Sequence, residues 1–371
     1  MRSTLDGAGY YDSLVLNNVR PCTITIDGFR LWHGINRGLD KSGDGDLVVS
    51  NCVIEANGAA DSIEGRAVRV KGDASVTKFR MVDCQILRNR GGVGNRYGNG
   101  AVWVGSLAEV TVENVLFDGN GYAVFGRLPA KTLDGRIAGR GMAFYASAVP
   151  VTLRNCRFLC NGSSQTSSED AYAGGIVYLA GACGGSRIVN CLFLGNELLN
   201  GSGTIYGDSG NATLIVNMSD AAQVVEVDNC TFTMNAYCGD SSTAGMNVVG
   251  GTANVRNTIF YGNRATVHTA QWPSGVATAD IKAMRSGVVN VSYTMFDRED
   301  TCRATDDGIL NFSNCYTNDP MFVSNMTALA EHWNAAGYYK STAPDAIRAF
   351  NCHARGGTGY FDEKTGEKVI D

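Results

Sequence analysis

The chain has 371 residues, of which 18% are charged and 44% hydrophobic, with 46 Gly, 6 Pro and a formal net charge of −5. Low charge with ample apolar content excludes a disordered chain, and an acidic balance with no basic stripe argues against a nucleic-acid partner. No apolar run reaches the roughly 18 residues of a membrane span, and the opening MRSTLDGAGYYDSL has no apolar signal core.

From the N-terminus, ITIDGFRLWHG (24–34) reads as a first coil of alternating residues. A seven-residue phrase, Asn/Asp-x-x-Φ-x-x-Asn with Φ apolar, then appears as NCVIEAN from Asn51 and DCQILRN from Asp83. It recurs as NVLFDGN from Asn114, NCRFLCN from Asn155, NCLFLGN from Asn190, NCTFTMN from Asn229 and NTIFYGN from Asn257. A worn copy, YTMFDRE, starts at Tyr293, and LNFSNCYTNDPMF (310–322) reads as a terminal coil. The seven full copies are spaced by 32, 31, 41, 35, 39 and 28 residues, too variable for helical repeats.

Each phrase follows a period-two segment, such as VTVEN (110–114), VTLRN (151–155), VEVDN (225–229) and ANVRN (253–257). A second strand-like segment lies further upstream: AVRVK (67–71), AVWVG (101–105), AFYAS (143–147), IVYLA (176–180) and TIYGD (204–208). Three short strands per repeat, stacked on themselves, predict an all-β, single-stranded right-handed parallel β-helix. About ten coils at a spacing of about 4.8 Å give a rod of about 50 Å. The expected division is 1–322 for the β-helix and 323–371 for an irregular closing segment.

Asn tolerates left-handed backbone and bonds nearby peptide groups, so the phrase Asn residues are expected at corners, bonded coil to coil in a ladder. The second phrase position forms a column of Cys52, Cys84, Cys156, Cys191 and Cys230, with Val115 and Thr258 in the other two copies. Stacked buried thiols are one reading of it. Bridges such as Cys52–Cys84 and Cys156–Cys191 are the other, because stacked coils bring Cα atoms within disulfide range. There is no zinc-ligand spacing, and His33, His268, His332 and His353 are scattered.

Alternation in the upstream segments puts Val68, Val70, Val102, Val104, Val177 and Leu179 inward. Arg69, Trp103, Tyr145, Tyr178 and Tyr206 then point outward, since an unpaired buried Arg is costly. Aromatic rings in a line on an outer wall suit stacking on sugar faces, so these five residues are the candidate glycan contacts. The bland alternative is that the rings stabilise neighbouring strands or lie under the loops. Loop segments at 89–100, 121–141, 162–174, 197–203, 236–245 and 264–287 all leave the coil just before this wall and are expected to edge it.

TIDGF (25–29), the repeated N-C-x-F-x-x-N and GGIVYL (174–179) resemble the right-handed β-helix repeat proteins of bacteria, of the polymorphic outer-membrane-protein and pectate-lyase-like types. The resemblance covers about residues 13–322. DPMFV (319–323) and TGYFDEKTGEKV (358–369) are similar to the segment that closes such rods. It implies an exported protein, extracellular or at the cell surface, of which this chain is read as a fragment or signal-free portion. The leading functional expectation is a non-catalytic, adhesin-like surface module contacting a polysaccharide or cell-surface glycan, with no cofactor. A polysaccharide lyase or glycoside hydrolase on the same wall is the alternative, and a structural stalk the third reading. For a lyase the resemblance implies a basic residue, for which Lys71, Arg69, Arg96 and Arg127 are candidates, and Ca²⁺ on Glu169, Asp170, Asp208 and Asp240. A hydrolase needs paired carboxylates. The only adjacent Asp pair, Asp306–Asp307, lies away from the aromatic column.

Overall fold

The computed structural model describes residues 2–58, 66–89, 100–120, 143–165, 175–200, 212–238, 243–266, 278–317, 320, 360–361 and 368–369. Three long parallel sheets of eleven, ten and ten strands run through them, and the chain visits the three in turn within every coil. Parallel crossovers wind right-handed, and the result is the expected single-stranded parallel β-helix.

The phrase makes the eleven-stranded sheet. Its strands are only three residues long in the full copies, as in Val53–Glu55, Gln85–Leu87 and Leu116–Asp118. The apolar fourth position is the centre of each strand, and strict register stacks Ile54, Ile86, Phe117, Phe158, Phe193, Phe232, Phe260 and Phe296 inside the coil. From Phe117 to Phe260 neighbouring rings lie nearly parallel with centroids 4.3–4.8 Å apart. Offset stacking adds to the burial of these rings.

Both ends of the short strand are left-handed corners. The first phrase residue has φ near +50° throughout, from Asn257 at 48° to Asn190 at 56°, and the worn copy forces Tyr293 to 51°. Asn takes this conformation at little cost. The sixth residue is a second corner, with positive φ at Ala56, Arg88, Gly119, Cys160, Gly195, Met234 and Gly262.

Two Asn ladders follow from these corners. The outer one is exposed: Nδ2 of Asn190 donates to Asn155, Asn155 to Asn114 and Asn114 to Asp83. The inner one is buried and continuous, with Nδ2 of Asn57, Asn89, Asn120, Asn161, Asn196 and Asn235 each donating to Oδ1 of the next, ending on Asn263. The same Nδ2 also donates to a strand carbonyl one coil back, as Asn161 does to Phe117 at 3.0 Å. The same Oδ1 also accepts a backbone N–H, as Asn161 does from Asn120 at 3.0 Å. Every polar valence of the buried amide is met, which is what allows it to be buried.

The Cys column is a column of small donors. Cys84 donates its S–H to Val82 O at 3.2 Å, and Thr258 donates its hydroxyl to the equivalent Arg256 O at 2.9 Å. Cys52, Cys84, Cys156, Cys191 and Cys230 are all buried and free, so the stacked-thiol reading holds and the proposed bridges are not formed. Burial pushes the Cys156 and Cys191 thiols well above the ordinary range.

Three features depart from expectation. Ser3–Asp6 and Leu14–Val19 add strands before the first expected coil, pairing with Phe29–Trp32 and Arg37–Gly43. The segments expected as plain loops at 162–174, 197–203, 236–245 and 264–287 begin as Gly162–Gln165, Glu197–Asn200, Ala236–Cys238 and Arg264–Thr266. These four stack as a fourth parallel sheet, each beginning at the residue after a ladder Asn, so that the ladder's register carries into them. In the closing segment, Tyr360–Phe361 pairs antiparallel with Lys368–Val369.

Asn161→Ala should lower the unfolding free energy by about 3 kcal/mol or more in chemical denaturation, because the Phe117 carbonyl and the Asn120 amides lose buried partners worth about 1–3 kcal/mol each. Among the described cysteines, a thiol reagent on the native protein should reach exposed Cys22 first, and the five column thiols should appear only on denaturation. A bridge in the column would leave the denatured count two short.

Candidate functional site

The lateral wall is the second long sheet. Its strands run from Leu14–Val19 through Arg37–Gly43, Arg66–Lys71, Val102–Gly105, Phe144–Ser147 and Gly175–Ala180. They continue through Ala212–Asn217, Met246–Val249 and Ile281–Met284 to Cys302–Thr305. Register settles the outward column rung by rung as Asp40, Arg69, Trp103, Tyr145, Tyr178, Ile215, Asn247, Lys282 and Arg303.

The parity is therefore as expected for Arg69, Trp103, Tyr145 and Tyr178. The fifth expected member is displaced. The wall strand of that coil is Ala212–Asn217 rather than TIYGD, and Ile215 stands in line with Tyr178. TIYGD has the composition of a wall strand, but ATLIVN, a few residues on, is the more apolar and pairs on both sides. Tyr206 itself lies outside the described residues, as do Arg96, Arg127, Glu169, Asp170, Asp208 and Asp240.

Exposure divides the column. Tyr145 is 7% exposed and Tyr178 is 0%, yet neither belongs to the interior core; with Ala212 and Ile215 they form a separate cluster on the outside of the wall. Their ring centroids lie 5.5 Å apart, and the Tyr178 hydroxyl accepts from Asn217 Nδ2 at 2.8 Å. Of the three expected rings among the described residues, Trp103 alone is partly exposed, and Tyr145 and Tyr178 are corrected from open to covered. Toward the other end Asn247 and Lys282 are buried too, and desolvation lowers the Lys282 pKa.

Trp103 lies on the fourth of the ten wall strands, toward the N-terminal end. Its indole lies across Gly105, where a Cβ would come within 2.7 Å of the ring. The guanidinium carbons of Arg66 and Arg69 lie 5.2 and 6.0 Å from the ring centroid, at the range of cation–π contact. Arg69 Nη1 also pairs with Asp40 Oδ1 at 3.2 Å, and Arg37 Nη1 holds Asp40 Oδ2 at 2.6 Å. Asp12 lies 3.9 Å from Arg37. Lys71 is exposed on the same strand as Arg69, in register with Gly105.

Arg37, Asp40 and Arg66 were not legible as site residues. The run RGLDKSGDGD looks like a loop, and its strand is visible only through pairing with Arg66–Lys71. That strand also carries Lys41 on the inward parity, fully buried, with Nζ donating to Gly43 O at 2.5 Å. Burial pushes its pKa down. Of the remaining sequence candidates, Asp306 and Asp307 form the exposed turn between Cys302–Thr305 and Ile309–Ser313, both at positive φ. Of the histidines, His33 stacks on Trp32 at 3.5 Å, and the other three lie outside the described residues. Among the described residues no group of three metal-ligating side chains occurs.

No family model and no curated protein matches the chain. Among solved structures the chain is similar to QnrB1, a plasmid-mediated fluoroquinolone resistance protein, at 9% identity over 81% of this chain and 92% of that one, with a TM-score of 0.22. A likeness at that level carries no argument about function, and the architecture rests on the strand pairing itself.

The two tyrosines and the tryptophan should respond differently to truncation. Tyr178→Ala should cost about 3 kcal/mol or more in thermal or chemical unfolding, as loss of a fully buried ring does, whereas Trp103→Ala, partly exposed at the start, should cost less.

Proposed function

We propose that this chain is a β-helix module of an exported surface protein of the adhesin-like type, and that it contacts glycans at the Trp103 end of the wall. The carrying observation is the partly exposed indole of Trp103, lying against Gly105 with the Arg66 and Arg69 guanidiniums at cation–π range. A partly exposed indole with guanidinium donors beside it suits the apolar face and surrounding hydroxyls of a sugar ring. The rigid wall beneath holds that arrangement without an ordering cost on binding. Export and surface location are supported by the resemblance of TIDGF, N-C-x-F-x-x-N and GGIVYL to bacterial surface β-helices.

A binding role fits the local chemistry better than a hydrolytic one. Asp40, the carboxylate nearest Trp103 along the column, has one oxygen on Arg37 and the other on Arg69, so it is committed as an ion-pair partner rather than poised as a base. The contact surface is also narrower than four aligned rings would give, since Tyr145 and Tyr178 are covered.

A glycan array probed with the purified chain should give hits that weaken at least tenfold in Trp103→Ala and less in Trp103→Phe, with the melting temperature of each variant measured as a control. An array without hits, or hits indifferent to Trp103→Ala in a folded variant, would overturn the reading. Appearance of unsaturated uronate absorbance with any bound acidic polysaccharide would replace it with a lyase.

A further inference from the structure

The inner Asn ladder ends in an unusual way. The worn phrase YTMFDRE places Glu299 where the next ladder Asn would stand. Asn263 Nδ2 instead donates to Oδ1 of Asp280, at 3.0 Å, a residue that enters from just before the wall strand Ile281–Met284. Asp280 is 0% exposed, and its Oδ2 is buried with no hydrogen-bond partner among the described residues. Its backbone is tied on both sides, N–H to Thr301 O at 2.9 Å and C=O to Met246 N–H at 2.7 Å, which fixes the point from which the carboxyl enters the corner.

A second carboxyl converges on the same corner. Asp297 Oδ2 accepts the backbone N–H of Gly262, the residue next to Asn263, at 3.2 Å, and Asp297 Oδ1 is likewise buried without a partner among the described residues. Two adjacent residues of one turn thus anchor two carboxyls, each with one oxygen satisfied and one orphaned. Ionised carboxylates accept only, and burying two close together is costly. A proton on one of them removes a charge and turns an orphan acceptor into a donor, which is the hydrogen-bonding pattern of the amide that every earlier rung uses.

We propose that Asp280 closes the buried Asn ladder as a neutral carboxylic acid standing in for asparagine, so that the C-terminal coils take up one proton on folding and loosen when it leaves. The electrostatic surroundings agree. Burial is the main effect and the Asp297 charge adds to it; Thr301, Asn263 and Arg298 oppose them, and Asp280 is pushed up to about 7. Cys302, on the next strand, is half-buried, and burial is the main effect that pushes its thiol up.

The sign follows from linkage. Asp280 holds its proton more tightly folded, at about 7, than at its ordinary 3.8. Its contribution to stability is full below about 4, declines as pH rises toward 7, and is flat above. Asp280→Asn keeps the acceptor for Asn263 and carries the donor permanently.

The test compares melting temperatures of the full chain and Asp280→Asn from pH 4 to pH 8.5. The two should be close at pH 4, and the variant should lead by several degrees above pH 7. Asp297→Asn, which keeps an acceptor for Gly262, should move that crossover to lower pH. Infrared spectra of the wild type at pH 5.5 should show the carbonyl band of a neutral carboxylic acid that Asp280→Asn lacks, a readout that holds even if stability shifts for other reasons. A melting difference that does not change with pH, or the absence of that band, would overturn the proposal.

Discussion

The buried amide ladder is the constraint on which the other parts of this molecule depend. Each inner Asn sits where a short strand ends, at a place where the turning backbone has peptide groups with no strand partner. Its side chain supplies the missing bonds and hands the same acceptor to the coil below. Because Nδ2 and the backbone N–H of one Asn share one oxygen on the next, a slip of one residue would break several buried bonds together. Register is held tightly for that reason, and with it the phenyl stack, the thiol column and the direction of every side chain on the wall.

The wall owes its two-part character to the same regularity. A fixed register sends Arg69, Trp103, Tyr145 and Tyr178 outward on successive coils, whatever lies over them. At the N-terminal end the neighbours are charged, Arg37 and Arg69 share Asp40, and the indole is partly exposed. Further along, the neighbours are Ala212 and Ile215, and the tyrosines pack among apolar groups. An outward side chain is therefore not the same thing as an exposed one: parity belongs to the strand, and exposure belongs to what is packed against it.

Much of the fold was legible from local chemistry. The phrase announces a left-handed corner at its Asn, an inward residue at its centre and a polar bond at its end, and all three are local properties of the residue types. The same reasoning read the small second-position residues as packing, and the S–H and hydroxyl bonds to the carbonyl two residues earlier explain why Cys and Thr exchange there while Val115 merely fills the space. Where sequence reasoning went astray, the competing signals were nearly equal. TIYGD and ATLIVN both look like a wall strand, and only pairing with Gly175–Ala180 and Met246–Val249 selects the second. RGLDKSG looks like a loop because its polar residues are satisfied by partners from other coils, among them Asp12 and Arg69.

The sequence by itself determined the repeat, the coil, the corners and the inward and outward faces, since each depends on a few consecutive residues and a period of two. Tertiary structure decided which outward residues meet solvent, how Arg66 and Arg69 come to lie beside Trp103 with Asp12, Arg37 and Asp40 linked to Arg69 by ion pairs, and that a carboxyl from outside the phrase takes the last place in the amide ladder. Those outcomes depend on contacts between residues tens of positions apart, and on burial that no single coil possesses before its neighbours are stacked on it.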